Sequence, residues 1–251
     1  MVASVVVAAV LLTAALNISP AFAEKMSDIP VIGGVVRVLT FRQYTVDEER
    51  FKADIKVPQI QGLTNETLKN SLNEKYLIEN KKLYNRFMTE MQEMKKNKFG
   101  NYGVASGYKV ITDNDVILSV RRYVVEVQAS GTETVKYDTI DKKKQILITL
   151  PSLFKDDSYV DVISKNIIDQ MRQQMTQDNG MIYWIDNKVP KDVKERFNKI
   201  SDNQNFYINK DNKLVISFNE YEVGPGSMGT PEFIIPIEVI ANILVGNEYI
   251  K

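Results

Sequence analysis

The stretch TNETLKNSLNEKYLIENKKLYNRFMTEMQEM, residues 64–94, decides the fold class because its hydrophobic residues recur every three or four positions. This spacing is typical of one face of a long amphipathic helix. Thr64 stands at the predicted N-cap, and Gly100 follows the predicted end. We expect the methionines of this face to belong to the core. The predicted core face consists of Leu68, Leu72, Tyr76, Leu83, Phe87, Met91 and Met94.

Segments with strand periodicity surround this helix. Hydrophobic and charged residues alternate over 51–57, which indicates a half-buried strand that ends at Pro58. Hairpins are predicted over 108–128 and 134–150, and a second amphipathic helix over 157–175. The remaining predicted elements are a strand over 181–185, a helix over 190–200, a hairpin over 206–221, a strand over 232–235 and a terminal helix from Pro236.

Together these elements predict an α+β fold, with antiparallel sheets packed against two main amphipathic helices. An N-terminal membrane or signal segment precedes it. The predicted divisions are a membrane or signal segment over 1–23, a juxtamembrane hinge over 24–45, an N-terminal subdomain over 46–135 and a C-terminal subdomain over 136–251.

The N-terminal segment fits both a signal peptide and a membrane span. The 15 residues Val2–Leu16 carry no charge and suit a signal-peptide core. A spanning helix needs about 20 residues, which requires counting on through Phe22. Ala21 and Ala23 flank that residue in the small-x-small pattern of a signal-peptidase site. We therefore predict cleavage before Glu24.

No Lys or Arg precedes the apolar run, so the positive residues that usually hold an N-terminus inside are missing. Two interpretations remain open. Either the natural chain begins further upstream, with a cytoplasmic arm, or the segment is an ordinary signal peptide with an atypical start.

Composition excludes several classes of function. The 32 basic and 32 acidic side chains balance, so no net charge attracts nucleic acid. The chain has no Cys and therefore no disulfide, and it has no His. Lack of His removes the commonest general base, the usual nucleophile pairs and most zinc sites. We predict no catalytic residue, no cofactor and no metal ion.

Three motifs imitate known sites. Residues 224–229 spell G-x-G-x-x-G, but a strand rather than a helix follows, so we expect an exposed loop with positive φ angles. Ser152–Lys155 is an S-x-x-K and Ser201–Asn203 an S-D-N, but the K-T-G box of penicillin-recognising enzymes is absent. Asp113–Asp115 and Asp156–Asp157 lack the distal Glu of a calcium loop, and turn or cap roles explain them.

Several segments together resemble the C-terminal domain of the bacterial anti-sigma-V factor family. The preceding half, including the long helix and residues 107–128, is similar to the smaller domain found before it in that family and in some peptidoglycan deacetylases. The segments that carry the first resemblance are KYDTID (136–141), ILITL (146–150), LF (153–154), FY (206–207), FNEYEVGPGSMG (218–229) and FIIP (233–236).

The resemblance implies a single-pass protein of the cell membrane whose bulk is extracytoplasmic, or a secreted protein if Val2–Ala23 is a cleaved signal peptide. In this family the outer domain binds lysozyme, which exposes the signal-peptidase site. An intramembrane protease then frees an extracytoplasmic-function sigma factor from the cytoplasmic arm. A sigma factor is a partner here only if such an arm exists upstream. The alternative is an exported lysozyme- or peptidoglycan-binding inhibitor module without the regulatory arm.

Two loops are candidates for the lysozyme surface. In the first, Pro225 limits the entropy lost on binding and the glycines allow close approach. The second matches a glycine-rich loop that often carries His in related domains, where Thr132 or Glu133 stands here. The expected contact residues are Tyr221, Pro225, Gly226, Ser227 and Met228 in the first loop, and Ser130, Gly131, Thr132 and Glu133 in the second.

Charge supports the same surface. Lysozyme is strongly basic, so the carboxylates of Glu133, Glu220 and Glu222 are expected to favour its capture. Both loops are equally well explained as plain hairpin connections, and that interpretation stays open at this point.

Overall fold

The computed structural model describes residues 36–178, 180–185 and 196–251. The predicted membrane or signal segment, the cleavage site at Ala21, Ala23 and Glu24, and the hinge up to residue 35 lie outside these ranges. So does the start of the helix predicted from Pro190. Over the described ranges, no helix combines the length and the apolar character that crossing a membrane requires.

The described elements confirm the predicted α+β class, with two main helices. They are β1 (Arg37–Asp47), β2 (Phe51–Gln61), α1 (Glu66–Asn97), β3 (Tyr102–Asp113), β4 (Ile117–Val127), β5 (Gly131–Asp141), β6 (Ile146–Ile148), α2 (Ser158–Gln177), β7 (Phe206–Ile208), β8 (Leu214–Ser217), β9 (Glu232–Ile235) and α3 (Ile237–Ile240).

The strands form two sheets. The larger has the hydrogen-bonded order β1-β2-β3-β4-β5-β6, and the smaller has the order β7-β8-β9. Most of the pairs with a defined register are antiparallel, but β2 and β3 run parallel, from Phe51 opposite Tyr102 to Ile55 opposite Ser106. A parallel pair requires a long crossover, and α1 supplies it.

The chain forms two compact units, which we describe separately. The first contains the described residues up to 107 together with 125–131, and the second contains 108–124 and 132–251. The domain division predicted between residues 135 and 136 stays a prediction.

In the first unit, α1 packs on β2 through the face that its periodicity predicted. Leu72, Tyr76, Leu83, Phe87 and Met91 are buried, so the methionine stripe belongs to the core at Met91. Leu68 and Met94, the two ends of the predicted face, are half-buried.

The N-cap of α1 is Asn65 rather than Thr64. The Asn65 side-chain oxygen accepts a hydrogen bond from the backbone N–H of Leu68 at 3.1 Å. This bond satisfies one of the free N–H groups of the first turn. Asn and Thr are both good caps, so the sequence alone did not distinguish two neighbouring candidates.

Strand β2 continues past Pro58 to Gln61, which corrects the predicted end. Proline cannot donate a backbone hydrogen bond and normally excludes a central strand position. Here β3 pairs with β2 only as far as Ile55, so Pro58 lies beyond that ladder. On its other side Pro58 lies opposite Thr40, next to a register shift in β1. The missing N–H therefore breaks no pairing with β3.

In the second unit, α2 packs on β9 and α3. Its inward side chains Ile163, Ile167 and Met171 are fully buried. Below the helix, the rings of Phe218 and Phe233 meet edge to face with centroids 5.8 Å apart. Such contacts add to the burial of apolar area that drives folding.

A cluster of buried hydroxyl groups joins β7 to the larger sheet within this unit. The Ile208 carbonyl oxygen accepts hydrogen bonds from the hydroxyls of Thr112 at 2.7 Å and Ser119 at 3.3 Å. Ser119 also bonds the Thr139 hydroxyl at 3.1 Å. These polar groups are all buried, and pairing them avoids the desolvation cost of an unsatisfied carbonyl.

The strand predicted over 181–185 does not form. Its residues are irregular, with single main-chain bonds from Trp184 N–H to the Val223 oxygen at 2.7 Å and from Phe197 N–H to the Trp184 oxygen at 2.8 Å. Among the described residues, Val223 and Phe197 each make one main-chain bond with this segment, and no ladder develops. Residues 196–200, the described end of the helix predicted over 190–200, are also irregular.

The C-terminus is held by a buried carboxylate at the end of β5. Asp141 accepts hydrogen bonds from the Tyr249 hydroxyl at 2.6 Å and from the backbone N–H groups of Lys143 and Lys144 at 2.8 and 2.7 Å. Burial alone would raise the pKa of Asp141, but these bonds outweigh it and hold the pKa below the ordinary value of 3.8.

We expect this carboxylate to make folding stability dependent on pH. Because the folded-state pKa is lowered, the stabilisation is present above the unfolded pKa and is lost as pH falls through the folded pKa. In Asp141→Asn, the unfolding free energy should fall by about 2 kcal/mol at neutral pH and should depend less on pH below about pH 5. Urea unfolding at several pH values measures both effects.

The matched variant Tyr249→Phe removes one of the three hydrogen bonds and keeps the carboxylate, so its loss of stability should be smaller. An acid dependence in Asp141→Asn equal to that of the unchanged chain would contradict this account.

Candidate functional site

Tyr221 is one of three non-glycine residues with positive φ among the described residues of the second unit, with Gln145 and Asn212. Tyr221 is 51% exposed and has φ +62°, a left-handed conformation that residues other than glycine rarely adopt. Its ring lies directly over Gly226, where an added Cβ would overlap the ring atoms. Because Gly226 has no side chain, the exposed Tyr221 ring packs directly against the loop at that position.

Gly224 allows a second close approach. A Cβ at this position would stand 2.6 Å from the carbonyl oxygen of Ile182 and 2.9 Å from the Met228 sulfur. The expectation of positive φ angles along the G-x-G-x-x-G motif is confirmed only at Gly229, with φ +64°. Gly224 and Gly226 serve close packing instead, because a side chain at either position has no room.

Hydrogen bonds fix the base and the tip of this loop. The Glu222 carboxylate accepts from the backbone N–H of Asn219 at 2.7 Å and from the Gln204 amide at 3.1 Å. At the tip, a single 3₁₀ turn over Gly226–Met228 is closed by the Met228 N–H bonding the Pro225 oxygen at 3.0 Å. The loop is thus ordered before any ligand arrives.

Val135 connects this loop to the start of β5. Its N–H donates to the Asn219 side chain at 2.7 Å, and its carbonyl accepts from the Asn205 side chain at 2.9 Å. Val135 follows Glu133 by two residues, and Asn219 precedes Tyr221 by two. Two side-chain amides therefore hold the anchors of both candidate loops in the second unit.

The structure groups the expected contact residues in three sets. Tyr221, Pro225, Gly226, Ser227 and Met228 share one ordered loop. Thr132 and Glu133 lie in the same unit, just before Val135, but in strand β5, which begins at Gly131, rather than in a loop. Ser130 and Gly131 belong to the first unit, where they are exposed, and the Gln128 N–H donates to the Ser130 oxygen at 3.3 Å.

The three carboxylates expected to attract a basic partner differ in their pairing. Glu133 forms an ion pair with Arg121 at 2.9 Å, and Glu222 is engaged at the loop base. Glu220 forms no hydrogen bond or ion pair with the part of the chain that the structure describes. Its charge is therefore the one least neutralised by neighbours.

Two exposed side chains at this loop were missed from the sequence. Met181 is 38% and Ile182 50% exposed, and the Ile182 backbone lies against Gly224. The available signal was the run of five large hydrophobic residues, MIYWI, over 181–185. One buried strand face needs only alternate residues of such a run, so the others required another explanation.

The motifs that imitate enzyme or metal sites are structural. Lys142 Nζ lies 2.7 Å from both an Asp113 carboxylate oxygen and the Asn114 carbonyl, so an ammonium group occupies the acidic turn. Across the described ranges, no group of three or more acidic, His or Cys side chains could hold a metal ion. In the S-x-x-K, Ser152 donates to the Thr149 oxygen at 2.6 Å while Lys155 bonds elsewhere.

A tyrosine pair forms the most perturbed titratable cluster of the second unit. The hydroxyls of Tyr137 and Tyr207 donate to the two oxygens of Glu232 at 2.7 and 2.8 Å, and their rings stack with centroids 4.9 Å apart. Burial, together with the bond to Glu232, raises the pKa of Tyr137 to about 12 and also raises that of Tyr207. Both hydroxyls are protonated at neutral pH and cannot act as bases there.

Two family models match the chain. The model described as "Protein of unknown function (DUF3298)" matches residues 151–238, and the model described as "Deacetylase PdaC" matches residues 45–126. The first match contains the loop around Tyr221, residues 219–229, which we call the Tyr221 loop, and the second contains all of α1 and its neighbouring strands. This is the two-part arrangement that the motifs predicted.

Solved structures support the fold alone. A DUF3298 family member from Bacteroides fragilis NCTC 9343 superposes with a TM-score of 0.58 at 18% identity, covering 85% of this chain and 95% of that one. A DUF3298 family protein from Pseudomonas aeruginosa PAO1 gives a TM-score of 0.52 at 12% identity, covering 86% and 97%.

A much closer similarity joins the chain to a named regulator. The anti-sigma-V factor RsiV of Bacillus subtilis (strain 168) is 48% identical over 246 residues, which cover 98% of this chain and 84% of that protein. The resemblance read from the motifs is therefore confirmed, and the chain belongs to the anti-sigma-V factor family.

Proposed function

We propose that this protein is a membrane anti-sigma factor whose extracytoplasmic part binds lysozyme through the Tyr221 loop. Binding triggers signal-peptidase cleavage and the release of an extracytoplasmic-function sigma factor. Membership of the anti-sigma-V factor family supports the regulatory role. The observation that carries the binding proposal is the exposed Tyr221 ring, held at a positive φ over Gly226.

A strained and exposed aromatic residue is a good candidate for a contact residue. Backbone strain of this kind costs about 1–3 kcal/mol and persists only where the surroundings enforce it. Tyr is among the residues that dominate binding energy at protein interfaces. Because the loop is already ordered by Glu222 and the 3₁₀ turn, little conformational entropy is lost on binding.

Charge favours the proposed partner. Lysozyme is strongly basic, and Glu220, whose carboxylate has no partner among the described residues, lies beside Tyr221 in the chain. An unneutralised carboxylate at the rim of an interface accelerates encounter with a basic protein more than it increases affinity. The paired carboxylates of Glu133 and Glu222 contribute less to this attraction.

The signalling step follows from differential affinity. A ligand shifts a conformational equilibrium only by binding one state more tightly than the other. Lysozyme therefore has to favour the conformation in which residues 21–24 are extended enough for signal peptidase. An intramembrane protease makes the second cut, and this cut releases a sigma factor if a cytoplasmic arm that holds one exists upstream. No chemical step by this chain is required, so we propose a regulator rather than an enzyme.

Tyr221→Ala tests the binding surface. We expect the full chain in detergent to bind hen-type lysozyme one to one in calorimetry, and Tyr221→Ala to weaken binding about tenfold or more, equivalent to about 1.4 kcal/mol. Phe99→Ala is the matched control, because Phe99 is an aromatic residue of similar exposure, 56%. Absence of binding at tens of micromolar (a free energy weaker than about −6 kcal/mol) would exclude lysozyme as the ligand.

Alanine substitutions at Gly226 and Gly224 test two different effects, the position of the Tyr221 ring and the stability of the loop. In Gly226→Ala, the new methyl group displaces an exposed ring, so affinity should fall while the unfolding free energy changes by less than about 1 kcal/mol. In Gly224→Ala, the methyl group meets the Ile182 carbonyl, so the unfolding free energy should fall by about 1–3 kcal/mol.

Urea unfolding and calorimetry on both glycine variants give the two quantities. Unchanged lysozyme affinity in Gly226→Ala would show that the packing of the Tyr221 ring on Gly226 has no role in binding.

Cleavage provides the second test of the proposed function. With the full chain and signal peptidase in liposomes, lysozyme should accelerate the cut before Glu24, as measured by the mass of the released fragment. Ala23→Trp should block the cut, because signal peptidase requires a small residue there. Lysozyme binding without any acceleration would favour the alternative of a binding module over a signalling protein.

A further inference from the structure

Two segments of the second unit approach each other at Gly224, close to the place where the Tyr221 ring packs on Gly226. The backbone of Ile182 and the sulfur of Met228 both approach Gly224, and the Tyr221 ring covers Gly226. Met181 precedes Ile182, and both are exposed together with Tyr221, at 38%, 50% and 51%. Two segments about 40 residues apart in the chain are thus in contact, and each carries exposed apolar side chains.

The Met181–Ile182 segment cannot turn inward. The next residue, Tyr183, is buried, and its hydroxyl donates to the Gln174 side chain at 2.5 Å. The Trp184 N–H bonds the Val223 oxygen at 2.7 Å, and the Met181 N–H bonds the Asp178 oxygen at 3.1 Å. These anchors on both sides leave Ile182 exposed beside the loop.

The charged side chains within these two segments, over the residues that the structure describes, are all acidic. The described residues of 178–185 together with 219–229 contain three carboxylates, Asp178, Glu220 and Glu222, and no Lys or Arg. An apolar centre with an acidic border is complementary to a partner that presents an apolar patch within basic surroundings.

We propose that Met181 and Ile182 extend the contact surface of the Tyr221 loop, with Ile182 as a second centre of binding energy for a basic protein. The inference rests on the proposed function, under which that protein is lysozyme. Met181 and Ile182 lie outside the two loops that the sequence indicated, so they add a third segment to the expected contact surface. The inference also predicts that apolar contact with Ile182, rather than charge alone, supplies affinity.

Two isoleucines of the second unit allow a matched test. Ile182 is 50% and Ile234 53% exposed, so each truncation to Ala removes the same atoms from a similarly exposed position. In calorimetry of the full chain with hen-type lysozyme, Ile182→Ala should weaken binding about tenfold and Ile234→Ala should leave it unchanged. Ile182→Arg should weaken binding further, because it adds repulsion of a basic partner. Urea unfolding of each variant checks that stability is retained.

The outcomes distinguish this inference from the proposed function. If the unchanged chain does not bind lysozyme, the proposed function fails and the inference fails with it. If Tyr221→Ala loses binding while Ile182→Ala retains it, only the inference is overturned. Equal loss in Ile182→Ala and Ile234→Ala would also overturn it, because the effect would then not belong to this surface.

Discussion

The main chain of Val135 is the point on which the arrangement of the candidate site depends. In place of a strand partner, two side-chain amides bind its N–H and its carbonyl, those of Asn219 and Asn205. A backbone group buried without a partner costs about 1–3 kcal/mol, so this pairing strongly disfavours any slip of β5 relative to the loop. The Tyr221 loop and the residues around Glu133 consequently share one anchor. A ligand that touches both encounters a fixed spacing rather than two independent loops.

Two glycines determine the packing in the rest of the site, because each leaves room for a neighbouring group. At Gly224 the missing side chain lets the loop contact the Ile182 backbone, and at Gly226 it lets the Tyr221 ring approach the main chain closely. The strain of the positive φ at Tyr221 is tolerated because the loop base is held by Glu222. The result is an exposed hydrophobic side chain with little freedom to lose on binding. The same rigidity makes the loop a poor place for a conformational switch.

Local patterns predicted the fold where local interactions decide it. The period of α1 and the alternation in β2 follow from side chains a few residues apart, and both are confirmed. Expectations were wrong where distant contacts decide: Pro58 stays inside β2 because β3 ends its pairing early, and 181–185 forms no strand because each of its described neighbours offers a single bond. At the site, motif resemblance indicated the Tyr221 loop. The run MIYWI signalled that some of its residues needed another explanation, but the contact of the Ile182 backbone with Gly224, 42 residues later, was not readable from it.

A rigid binding loop constrains where signalling can arise. To move an equilibrium from 1:99 to 99:1, a ligand needs about 5.5 kcal/mol of preference for one state. The Tyr221 loop is held by the bond at Asn219 and by its closely packed glycines, so contact with the loop alone supplies such a preference only where its surroundings differ between the two states. The fully buried residues of α2 behind it, such as Ile163 and Met171, are equally unsuited to rearrangement. We infer that the loop identifies the ligand, whereas the change that exposes the protease site takes place outside the loop and its supporting core.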